Sequence, residues 1–179
     1  MKFKELKEET LIRLDLGAGK NAADGFIGID IRPSKGIKTV DIRKRWPWKS
    51  NSVDEARAAN LIQYFNAEER AHFVNELYRV LKPDCKAQII TPYWAASKAY
   101  GDPTVAWPAV SEAWYQMLAK PYRDALTWIE TGGYRCNFDV TLGYGLHPSM
   151  IGRVQDYQQH WVTFGKEAAQ DLIATLTKR

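Results

Sequence analysis

The chain has 179 residues, of which 45% are hydrophobic and 26% charged, with a formal net charge of +4; this suits one globular domain large enough to bury a core without disulfides or metal. No apolar run approaches the roughly 20 residues that span a bilayer, and Cys85 and Cys136 are too few and too far apart for a disulfide framework or a zinc site, so both read as packing thiols. A small basic excess without a clustered Lys/Arg face argues against a nucleic-acid partner. The opening MKFKELKEETLIRL mixes acids with lysines and has no apolar stretch ahead of a small-residue cleavage site, so a cytoplasmic protein without membrane attachment is expected.

In chain order, LIRLDL (11–16) is a short apolar run ending in a glycine turn, as a buried parallel strand requires. GFIGIDI (25–31) predicts a second strand, VDI (around 39–42) a third and VDEARAAN (53–60) a fourth. Asn66 caps a helix that runs to about residue 81, with acids in its first turn, basic residues in its last and an apolar stripe of Phe73, Val74, Leu77, Val80 and Leu81. Pro83 stops it, and KAQIITP (86–92) supplies a fifth strand. Residues 93–134 carry Tyr93, Trp94, Tyr100, Trp107, Trp114, Tyr115, Tyr122 and Trp128 between three prolines, and read as a helical insertion or lid. CNFDVTLGYGL (136–146) and DLIATLTKR (171–179) predict two last strands with helical sequence between them. Strands alternating with helices imply an α/β sheet, and no repeat or linker divides residues 1–179 into two domains.

The first turn, LDLGAGK, places Gly17 and Gly19 where the backbone can bend sharply and approach a ligand. A dinucleotide fingerprint wants a third glycine opening a helix and an acid about 20 positions later, whereas Asp30 follows Gly19 by 11. Retracing a strand of about five residues covers roughly 17 Å, and the nine or so residues from Gly17 to Gly25 reach roughly 30 Å extended but far less as helix. A crossover made of loop or a single turn is therefore expected. Asp15, Asp30 and Asp41 would gather at the C-terminal ends of adjacent strands, a poor place for pyrophosphate. S-adenosylmethionine (SAM) carries no phosphate, has two cationic groups, and offers ribose hydroxyls to a carboxylate.

On these residues the sequence resembles the class I SAM-dependent methyltransferases, in particular a small branch that runs from DLGxG almost directly into GxxxxD. DIRKRWPWKSNSVDEARAANLIQYF is similar to the stretch in which that branch has an Asp, a Pro-aromatic pair, Ser-x-Asp, a strand and a "VLEH"-like turn. ELYRVLKPDCKAQIITP is similar to its "ElyRVLKPGG" helix, turn and strand, with Asp84 and Cys85 in place of the glycine pair. The resemblance is dense over residues 11–92 and looser beyond, where GGYRCNFDV and DLIATLTKR are similar to the last two strands. It implies a Rossmann-like fold with a mostly parallel sheet, an antiparallel C-terminal strand and a shortened first crossover. It implies SAM as cofactor, with Asp15, Gly17, Ala18 and Gly19 around its methionine part, Asp30 and the adjoining Ile31 at the ribose, Asp41 and Ile42 at the adenine, and Asn60 and Leu61 closing the site. RKRWPW (43–48) falls on the Pro-aromatic segment and reads as packing rather than a nucleic-acid patch.

Chemistry is harder to place. Many relatives carry Glu-His after the fourth strand, where this chain has Gln63 and Tyr64, and GDPTVAWP (101–108) resembles a DPTH segment with Val105 in the His place. Tyr64 and His147 are the remaining catalytic candidates, while His72 and His160 are assigned no role. Tyr93 and Trp94 follow the fifth strand and are candidates to flank the acceptor or the sulfonium. The expected activity is methyl transfer to a small molecule; the alternative is a SAM-binding interaction or sensing module without catalysis. A nicotinamide-dependent oxidoreductase is disfavoured by the short crossover and the aspartates.

Overall fold

A computed structural model describes residues 11–126 and 133–179. Seven strands form one mixed sheet: β1 (Arg13–Leu16), β2 (Ile27–Asp30), β3 (Lys38–Thr39), β4 (Val53–Ala59), β5 (Leu81–Pro92), β6 (Phe138–Leu146) and β7 (Ala169–Lys178), in the order β3-β2-β1-β4-β5-β7-β6. The first five are parallel, and β7 runs antiparallel to both β5 and β6. Among the described residues four α-helices accompany them: α1 (Ala67–Val80), α2 (Glu112–Gln116), α3 (Lys120–Ala125) and α4 (Gln155–Phe164).

The β1–β2 crossover contains no helix, as its length requires. The amides of Gly17 and Ala18 both donate to the Ile29 carbonyl, at 2.8 and 3.0 Å, so the chain leaves β1 still tied to its neighbour. Gly28 makes this possible from the other side. A Cβ there would stand 2.4 Å from Ile37 Cδ1 and 2.8 Å from Ala22 Cβ, so the crossover can rest on β2 only where no side chain rises.

The third strand lies earlier than the sequence predicts. Pairing with β2 covers Lys38 and Thr39 alone, and Asp41 and Ile42 follow it in a turn. The Asp41 carboxylate accepts the backbone N–H of Arg43 at 3.1 Å, a local bond that competes with extending the strand. β5 also differs. It follows α1 directly, pairing Leu81 with Val53 before the register shifts to Lys86 with Glu55. Pro83, Asp84 and Cys85 fall in that shift, and Asp84 takes φ 61°, the left-handed region that glycine enters most readily and Asp tolerates better than most residues.

Capping fixes α1 as expected: the Asn66 side chain accepts from Glu69 N, and the Glu69 carboxylate accepts from Asn66 N. Burial alternates along much of β4 and β7 and the second half of β5. Leu14, Ala56, Ala87 and Leu176, in register across the sheet, face the core with α1, whereas Arg13, Glu55, Arg57, Gln88 and Thr175 point to the opposite, more open face. RKRWPW packs rather than presenting a patch. Trp46 is 2% exposed, donates from Nε1 to the Ile42 carbonyl at 2.8 Å, and sets its ring edge-on to Phe73 and Trp48. Glu76 and Arg79 of α1 hold its backbone from below.

The aromatics of 93–126 divide. Tyr93 and Tyr115 are buried in the core, while Trp107 is 80% exposed; Trp128 lies outside the described residues. No described helix is long and apolar enough to cross a membrane.

Candidate functional site

A cleft of about 300 Å³ opens at the C-terminal rim of the parallel strands. Gly17, Asp30, Ile31, Asp41, Ile42, Asn60, Leu61 and Tyr64 stand in its wall; Asp15, Ala18, Gly19, His147, Tyr93 and Trp94 do not. β1 ends at Leu16 and is followed by Gly17, whose φ of 72° turns the chain; Leu61 closes so tightly against this glycine that a Cβ on it would lie 2.8 Å from Leu61 Cδ1. Asn60 at the end of β4 takes φ 52°, a conformation asparagine tolerates better than most residues, with its amide donating to the Ile90 carbonyl.

The three aspartates reach the rim in different ways. Asp30, 7% exposed, accepts the amides of Gly19 and Arg32, each at 2.9 Å, and the Arg32 guanidinium at 3.4 Å. Burial works to raise its pKa, but those hydrogen bonds and the guanidinium charge together outweigh it and hold the carboxyl below the ordinary aspartate value. Asp41 accepts both Nε and Nη2 of Arg43, at 2.9 and 3.2 Å, and its carboxyl is lowered chiefly by those bonds. Asp15 turns beneath the crossover instead. It accepts Ala23 N at 2.8 Å and lies 3.7 Å from Arg57 Nε, so it braces the loop from outside the wall.

Each of the three aspartates expected at the strand ends therefore has its own arginine, a pairing the sequence does not predict. With Arg32 and Arg43 set against Asp30, Asp41 and Glu69, the wall keeps only a small negative balance, so charge alone discriminates weakly between a cationic ligand and a phosphate. Each carboxylate oxygen retains acceptor capacity, so hydrogen-bond geometry remains as the means of recognition.

Arg32, Arg43, Val40, Phe65 and Glu69 complete the wall and escaped the sequence reading. The arginines had a visible signal: Asp-Ile-Arg occurs twice, at 30–32 and 41–43, and both copies fold the same way, the aspartate accepting from the arginine two residues on. Phe65 and Glu69 reach the cleft through the turn before α1 and its first turn, which no local pattern marks.

Neither catalytic candidate is placed as a base. The Tyr64 hydroxyl donates to Asp102 at 3.0 Å, and that bond, followed by burial, pushes the phenol above its ordinary pKa. Asp102 is fixed in turn by the amide and hydroxyl of Thr104. His147 lies beyond β6, its Nδ1 accepting Ser149 N at 3.2 Å. Gln63 is buried, with its carbonyl accepting Ala106 N and its side-chain Oε1 unpartnered among the described residues. Arg70 donates to the carbonyls of Ala106 and Pro108, so residues 102–108 are stapled to the turn after β4. Trp94 is 41% exposed and donates from Nε1 to Glu112, while the Tyr93 hydroxyl donates to the Val162 carbonyl. Among the described residues no group of His, Cys, Asp and Glu could hold a metal ion.

No protein-family model and no curated protein matches the sequence. Solved structures do match in fold. A SAM-dependent methyltransferase from Archaeoglobus fulgidus superposes with TM-score 0.66 at 14% identity, covering 94% of this chain and 86% of that one. The methyltransferase domain of bacterial CtHen1 gives TM-score 0.55 at 11% identity, over 93% and 89% of the two chains. Geranyl diphosphate C-methyltransferase from Streptomyces coelicolor gives 0.51 at 13%, over 94% and 71%. The chain has the class I methyltransferase topology, with the sheet order and antiparallel β7 that define it.

Proposed function

We propose that this chain binds SAM in the rim cleft and transfers its methyl group to a small-molecule acceptor. The observation that carries the reading is the coincidence of the methyltransferase topology with a cleft whose wall holds Asp30 at the end of β2. The residues present fit the cofactor. Ile31, Ile42, Leu61 and Phe65 supply apolar surface for a flat base, and Asp30 keeps lone pairs for ribose hydroxyls after accepting its backbone donors.

Bound SAM supplies a methyl group on a sulfonium, a good leaving group. The chain's share of the work is to align the acceptor and keep water out, which is worth about 7–11 kcal/mol when the geometry is right. Gly17 and Leu61 close one end of the cleft, and the staple from 102–108 to Gln63, Tyr64 and Arg70 holds the insertion beside it. With Tyr64 committed to Asp102, the acceptor arrives already able to attack or loses its proton to solvent. The same commitment, with His147 outside the wall, favours the second reading, a SAM-binding module without catalysis.

Calorimetry with SAM and a radiolabelled-methyl assay against a metabolite extract test the two together. Binding with transfer to some fraction is expected; binding with no transfer supports the module, and no binding overturns both. Asp30→Ala should weaken SAM binding by about 1–3 kcal/mol through loss of charged hydrogen bonds.

A further inference from the structure

Beyond the cleft, the rim over β5 and β6 carries a second cluster. Trp94 stands two residues past the end of β5, Tyr144 lies in β6, and Glu112 opens α2, which crosses toward them. Glu112 Oε2 accepts the Trp94 indole N–H at 2.7 Å, and Oε1 accepts the Tyr144 hydroxyl at 3.2 Å. Tyr93 packs its ring against both, with centroids 5.6 Å from Trp94 and 5.5 Å from Tyr144. Both donors to the carboxylate are neutral. Among the described residues no Lys, Arg or His forms an ion pair with Glu112; Asp102 and Glu167 likewise take bonds from neutral groups, but neither of those bonds an indole and a phenol together.

A packing role accounts for Tyr93, which is fully enclosed, but not for a partly exposed carboxylate set beside a 41% exposed indole. The carboxylate has spent two acceptor sites of about four. Ring faces attract cations, best those that shed water easily, and the carboxylate adds full charge. An anionic acceptor would be repelled here. Neighbouring strands lie about 5 Å apart, so Trp94, past the end of β5, stands one strand from the Asn60 end of the cleft, and Tyr144 on β6 stands two strands further out.

We propose that Glu112, Trp94 and Tyr144 form a subsite for an organic cation, a protonated amine or quaternary ammonium, carried by the acceptor. Its assignment to an acceptor rests on the methyltransferase reading; the binding of the cation does not.

Choline serves as probe, observed through the indole N–H resonance of Trp94, which Trp94→Phe identifies by its loss. Choline should shift that resonance saturably, and 3,3-dimethylbutan-1-ol, the same shape with carbon in place of nitrogen, should not. Glu112→Gln keeps an oxygen for the indole N–H and should weaken choline by about tenfold or more; Tyr144→Phe, which leaves the carboxylate in place, should weaken it by a smaller factor. No response to choline, an equal response to the neutral analogue, or unchanged affinity in Glu112→Gln would overturn the proposal. Calorimetry with SAM on the same samples separates the readings: choline bound without SAM sinks the methyltransferase reading and keeps the subsite, and SAM bound without choline does the reverse.

Discussion

The two ends of the rim are built from different materials. Over β2, β1 and β4 it is drawn mainly by backbone: Gly17, Asn60 and the two Asp-Ile-Arg turns set its shape, and every aspartate is answered by an arginine. Over β5 and β6 it is drawn largely by rings: Glu112 takes its bonds from an indole and a phenol, and Asp171 of β7, between those strands, pairs with Lys98. The first end suits a ligand recognised by hydrogen-bond direction, which many sequences can supply. The second depends on particular side chains, so it is where this chain's own selectivity would reside.

The largest test of that contrast lies beneath the first end. Trp46→Ala should cost about 3–5 kcal/mol in denaturant unfolding, because the indole anchors the segment bearing Asp41 and Arg43 to α1. Trp107→Ala, at an 80% exposed site beside the second end, should change stability by less than about 0.5 kcal/mol. Equal losses would mean that the insertion carries as much of the fold as the segment beneath the cleft. Gly28→Ala should cost about 1–3 kcal/mol by pressing on Ile37 and Ala22, and SAM affinity measured by calorimetry should fall with it as the crossover lifts. A neutral result would show that the crossover yields easily.

Acidification sharpens the contrast further. The Asp30 carboxyl is below its ordinary value of 3.8 in the folded chain, so its contribution is complete above that pH and disappears as pH falls through the lower folded value. Asp30→Asn should flatten that part of the stability curve, measured by denaturant midpoints across the acid range. A small effect is expected at Tyr64→Phe. The phenol already donates to Asp102 and is pushed away from neutrality, so the variant should lose under about 1 kcal/mol and leave the shape of the pH–rate profile for methyl transfer unchanged.

Local chemistry explains what could be foreseen. Asn66 and Glu69 announce α1 because both halves of a capping box lie within four residues, and the helix-free crossover follows from chain length alone. β3 lands early because the Asp41 side chain competes for its own backbone, a contest that hydrophobic pattern does not register. The arginines set against Asp30 and Asp41 leave a trace in the sequence, where Asp-Ile-Arg stands twice, but the pairing itself forms only as each turn folds. Glu112 is a different case. Its partners lie 18 and 32 residues away, and only the meeting of β5, α2 and β6 joins them.

The outermost strand has a consequence for the chain in crowded solution. β3 offers a passing strand two exposed residues, one of them Lys38, before the Asp41 turn carries the backbone off the sheet. Foreign chains need a longer run of unpaired amides and carbonyls to template a β-ladder, so this flank is blunted against edge-to-edge aggregation by brevity and charge alone.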